Sequence, residues 1–134
     1  MNPATVRLPF SLIDAYHGFA EGGGLIFLQN DKLCIEVQVK DAFFGAIKSG
    51  VKEYRIPLIE IIDIVYKRNM FISRLKLRVS SLKWLDAFPG AKDSEIKLKI
   101  KRKDKELALH LVSHIKLRIS ELRLQELDDD EAFI

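Results

Sequence analysis

Hydrophobic and polar residues alternate along much of this chain, and the alternation marks out its strands. In residues 95–102, which begin E-I-K-L-K-I-K, Ile96, Leu98 and Ile100 fall on one side and Lys97, Lys99 and Lys101 on the other. A period of two is that of a half-buried strand. The pattern recurs in residues 73–79, where Leu75, Leu77 and Val79 alternate with Arg74, Lys76 and Arg78. It recurs again in 33–39, where Leu33, Ile35, Val37 and Val39 alternate with Cys34, Glu36 and Gln38. Apolar runs over 25–28, 51–56, 61–67 and 82–88 are read as further strands, punctuated by Pro57, Arg68-Asn69 and Pro89-Gly90. Asn30-Asp31 predicts a tight hairpin, because both residues tolerate positive φ. Gly22-Gly23-Gly24 reads as a flexible turn; no Lys-Ser or Lys-Thr follows, which excludes a phosphate-binding P-loop. Residues 1–20 are assigned to an N-terminal extension; within it the apolar stretch 8–19 has neither period cleanly and fits a short strand or a single helical turn.

After residue 102 the period changes. Ala108, Leu111, Val112, Ile115, Ile119 and Leu122 recur at helical spacing, with Asp104 placed to cap the helix. About seven short strands followed by one amphipathic helix predict a single mainly-β domain over residues 1–125, an antiparallel barrel closed by its C-terminal helix. Leu117 and Leu124 lie seven residues apart on the opposite side of that helix. They form a narrow apolar seam suited to self-association.

Charge alters this picture in two places. The net charge is +3, yet every Lys and Arg lies at or before Arg123. The last segment, 126–134, carries Glu126, Asp128, Asp129, Asp130 and Glu131; without those five negative charges the body stands at +8. A terminal run of like charge reads as a flexible tail, free to lie against a basic face. The second place is the pair of cationic strand faces, Arg74, Lys76 and Arg78 on one strand and Lys97, Lys99 and Lys101 on another. Such an array suits an anionic partner, and lysines on strands also block edge-to-edge aggregation. Phe43-Phe44, beside Gly45, adds two adjacent aromatics in a loop that could enter a membrane interface or a partner's groove.

Other chemistry finds little support. A single cysteine, Cys34, rules out an intrachain disulfide and is read as an inert residue on a partly exposed face. His110 and His114 share a helix face, but no Glu stands between them as in a zinc-protease helix, so they are read as solvent-facing and no metal or cofactor is expected. No catalytic constellation emerges, and a non-enzyme is expected. No apolar run reaches the ~20 residues of a membrane-spanning helix. Pro3, Arg7, Pro9, Asp14 and His17 interrupt any secretory h-region, so the cytoplasm is the expected compartment.

Three passages resemble one known family. Arg55-Ile56-Pro57-Leu58 leading to Ile61-Ile62-Asp63-Ile64 is similar to a strand entry of bacterial pleckstrin-homology-like (PH-like) and GRAM-type domains. Residues 71–77, F-I-S-R-L-K-L, resemble the hairpin that follows there. Phe88-Pro89-Gly90 with 96–104 resembles the last strand and helix start of that group. The resemblance spans residues 20–124 and implies a PH-like barrel of about seven antiparallel strands capped by a C-terminal α-helix. It also implies a non-catalytic binding or assembly module. Taken with the charge pattern, a protein partner or self-association is the expected partner and an anionic membrane surface the alternative; nucleic acid is disfavoured, because no aromatics alternate with the strand cations. The lipid-binding members carry a Lys-x(n)-Arg motif on their first hairpin. Here the matching hairpin, 25–39, offers only Lys32 beside Asp31.

Overall fold

Alternation of the kind just described buries one side of each strand, and the structure, a computed structural model describing residues 6–12, 20–41 and 51–131, shows what those sides bury against. The strands are β1 (Leu8–Leu12), β2 (Ala20–Gln29), β3 (Lys32–Asp41), β4 (Lys52–Pro57), β5 (Ile61–Arg68), β6 (Ser73–Val79) and β7 (Glu95–Ile100). All pair antiparallel in one open sheet, ordered β4-β3-β2-β1-β7-β6-β5. The helix α1 (Lys105–Glu131) closes the chain. This is the mainly-β, helix-capped layout that the sequence predicts.

Short β1 joins the two halves of the sheet. It pairs with β2 through Leu8 to Ser11 and with β7 through Ser11 and Leu12. The free edges are β4 and β5, connected by a 3-10 turn, Leu58–Glu60. Helix α1 packs on β5, on that turn and on β1 and β2, so it covers the side that strand pairing leaves open. Ala108, Leu111, Val112, Ile115 and Ile119 are buried there, and Leu122 is half-buried. They meet Leu33, Ile35 and Ile56 from one half and Leu75, Leu77, Ile96 and Leu98 from the other in a single core cluster. Each such side chain contributes about 1.5–3 kcal/mol by leaving water.

The Asn30-Asp31 turn forms as expected, with φ of 50° and 60°. It is also fastened to α1. Arg118 grips Asp31 with two parallel bonds, Nε to Oδ1 at 2.7 Å and a terminal nitrogen to Oδ2 at 2.9 Å. The Leu58 N–H donates to the Asp31 carbonyl at 3.1 Å. The hydrogen bond from Arg118 holds the Asp31 carboxyl below its ordinary 3.8, and the same contact raises the guanidinium further. One turn residue thereby ties hairpin, helix and the β4–β5 connection together.

Several expectations are corrected. Residues 8–12, left open between a short strand and a helical turn and not counted among the seven, are β1. Residues 82–88 are not a strand: Leu82–Leu85 is a 3-10 helix, with Ser81 Oγ accepting from the Lys83 N–H at 3.3 Å. The strand count of seven holds because the uncounted β1 replaces the misread 82–88. In both, a run of apolar residues too short to show a period was settled by tertiary contacts. Gly22-Gly23-Gly24 is no turn but the middle of β2. A Cβ on Gly24 would run into the Glu36 carbonyl oxygen, and one on Gly23 into that of Phe10. Here glycine permits close approach of both neighbouring backbones.

Cys34 is buried, not partly exposed, at 6% exposure. It faces Phe27 and Arg55 across the ladders, and the Arg7 guanidinium covers the Phe27 ring at 4.3 Å. Burial pushes its thiol upward. Asp104 directly precedes α1, but Oδ2 is buried with no hydrogen-bond partner among the described residues. Trp84 packs against the core with its indole N–H likewise unpartnered among them. Finally, the acids expected in a flexible tail lie on α1, which continues through Glu131. A helix carries Glu126 to Glu131 onward along its axis, where a free tail could have curled back on the basic strands.

Candidate docking face

The two basic strands adjoin. β6 lies between β5 and β7, and the register aligns their outward residues in rows. Lys67, Arg74 and Lys99 form one row; Val65, Lys76 and Lys97 the next; Asp63, Arg78 and Glu95 the third. Positive charge therefore rises along the face from the third row to the first. At the third row Glu95 forms ion pairs with both Lys76 and Arg78, each at 3.7 Å. A cleft of about 480 Å³ opens at that end, lined by Lys76, Arg78, Lys92 and Lys97 with Asp93, Glu95 and the Pro89-Gly90 turn. Its wall is a tight turn in which Lys92 and Glu95 exchange backbone hydrogen bonds of 2.9 and 3.0 Å, Asp93 and Ser94 taking φ of 55° and 62°.

The opposite end is different. Residues 67–74 and 99–103 hold seven cations and no carboxylate. None of the seven makes an ion pair among the described residues. Between β5 and β6 the chain turns at Asn69, whose Oδ1 accepts the N–H groups of Phe71 and Ile72 at 2.9 and 2.7 Å. The Asn69 N–H donates to the Ile72 carbonyl at 3.0 Å. The Arg102 guanidinium donates to the Met70 carbonyl. Those bonds fix a turn that holds Met70 and Phe71 outward at 75% and 84% exposure. Beside it lies an open recess of about 530 Å³ between Arg68, Asn69, Met70 and Arg102. An apolar tip thus projects from a cationic collar.

The structure brings together Arg74, Lys76, Arg78, Lys97 and Lys99, with exposed Lys101 just past the end of β7. Phe43 and Phe44 lie outside the described residues. Leu117 and Leu124 are exposed on α1, each at 61%, and are remote in role from the basic face. Lys67, Arg68, Met70 and Phe71 were missed as site residues. The signal for them was the turn pair Arg68-Asn69 followed by two large apolar residues where a turn favours polar ones. His110 and His114 are exposed, their rings 6.2 Å apart. Among the described residues no three His, Cys, Asp or Glu side chains are grouped to hold a metal ion. No helix there is long and apolar enough to cross a membrane. No protein-family model matches the chain, and no characterised protein or solved structure matches it.

Proposed function

We propose that this chain is a non-catalytic binding module, related to the PH-like and GRAM-type domains, that docks on an anionic membrane surface through the tip and outer face of β5–β7. The observation that carries the reading is the Met70-Phe71 tip within its seven-cation collar. Each Lys or Arg near an anionic leaflet contributes about 1 kcal/mol. An inserted Phe or Met side chain adds about 1.5–3 kcal/mol. The two contributions add to a reversible attachment whose electrostatic part is salt-sensitive. A nucleic acid would use the same charge, but no aromatic side chain occupies an outward position of β5, β6 or β7 to stack a base.

Co-sedimentation with phosphatidylcholine vesicles, with and without phosphatidylserine, tests the reading. Binding should require the anionic lipid and fall as salt rises. Equal partition into both vesicle types, or none into either, refutes it. A salt-dependent shift of single-stranded RNA without vesicle binding would transfer the face to nucleic acid. Self-association is the second reading, favoured by the exposed leucines of α1.

A further inference from the structure

Helix α1 buries one side on the barrel and leaves the other to solvent. On the solvent side Ser113, Leu117, Ser120, Leu124 and Leu127 follow one another at spacings of four, three, four and three. That is the a/d pattern of a coiled-coil seam, with Leu117 and Leu124 at a, and Ser113, Ser120 and Leu127 at d. All five are exposed; Leu117 and Leu124 are each 61% and Leu127 59% exposed. From Arg123 to Asp129 every residue is exposed, so this stretch of helix stands clear of the barrel on all sides.

The flanking positions say what covers the seam. Lys116 and Arg123 occupy g, and Glu121 and Asp128 occupy e. In a parallel pair of identical helices a g residue faces the e residue five places on in the other chain. Lys116 then meets Glu121 of the second copy, and Arg123 meets Asp128, twice each by symmetry. An antiparallel pair in leucine register sets Arg123 against Arg123 and Glu121 against Glu121, repelling at its centre. Arg123 and Asp128 have no ion pair among the described residues, whereas Glu121 is already held by Arg118 at 3.1 Å.

We infer that the chain forms a parallel homodimer through α1, with a Leu117–Leu124–Leu127 seam and Arg123–Asp128 pairs between copies. The helix is already folded against its own barrel, so pairing need not supply the cost of forming it. Because each α1 presents its barrel-bound side away from the seam, the barrels flank the two-helix core. Three leucine layers make a modest interface, and the dimer forms at micromolar concentration or above. This inference is independent of the membrane reading.

Sedimentation equilibrium of the full chain across a concentration series tests it. Mass should rise toward twice 15.4 kDa. Leu124→Glu should leave a monomer. Arg123→Asp and Asp128→Arg should each weaken dimerisation about tenfold, and the double exchange should restore it. Circular dichroism equal to the parent shows that each variant is folded. A monomer at every concentration overturns the inference. So does a dimer indifferent to Leu124→Glu, or one that both single exchanges weaken and the double exchange fails to rescue.

Discussion

Two hairpin turns of this fold are built in opposite ways. The β2–β3 turn is polar, Asn30-Asp31, and is spent on the fold's interior bracing: Arg118 clamps Asp31 and Leu58 binds its carbonyl. The β5–β6 turn carries two large apolar residues, Met70 and Phe71, and holds them away from any core. Half-exposed charge-assisted bonds at one turn brace the architecture, while the other turn exposes apolar side chains that the proposed docking would use.

The comparison is broken most severely on the architectural side. Gly24→Val places a side chain against the Glu36 carbonyl between β2 and β3. It should cost about 3 kcal/mol, read as a lowered urea midpoint, because the β2 and β3 backbones must part. The contact side should behave differently. Replacing both Met70 and Phe71 by Ser should weaken vesicle binding about tenfold or more while leaving the Tm within error, since neither side chain is in the core.

The clamp responds to acid. Because the Asp31 carboxyl is held below its ordinary 3.8, its contribution is complete at neutral pH. That contribution disappears as pH falls below about 4 through the lowered value. Arg118→Ala should therefore lower the Tm at neutral pH and flatten the acid-induced fall expected of the parent below pH 4. It should leave vesicle binding unchanged. The smallest expected effect concerns Cys34: its buried, upward-shifted thiol should react with disulfide reagents only slowly, at a rate set by opening of the strand pair.

Much of the fold was legible along the chain because its signals are local. Alternation marked β3, β6 and β7, and the 3.6-residue stripe marked the buried side of α1. Asn30-Asp31 announced its own hairpin. The candidate site was legible only in halves. Arg74, Lys76 and Arg78 could be placed on one strand, and Lys97 and Lys99 on another, but nothing local says that two strands are neighbours. Glu95 looked like the first residue of a lysine strand; only pairing opposite Arg78 made it the neutralising end of the face. Met70 and Phe71 were missed because a turn's exposure depends on what the rest of the chain leaves uncovered.

The sequence by itself determined the mainly-β, helix-capped class, the side of each regular strand that is buried, and the excess of positive charge in the body. These follow from side-chain periodicity and composition, which need no knowledge of distant partners. Tertiary structure alone decided that residues 8–12 bridge the two halves and that three glycines lie inside a strand. It also decided that residues 82–85 coil and that β6 lies between β5 and β7. Strand pairing is a contact between residues far apart in the chain, chosen by the packing of the whole. That choice turned scattered lysines and arginines into a graded face with an apolar tip.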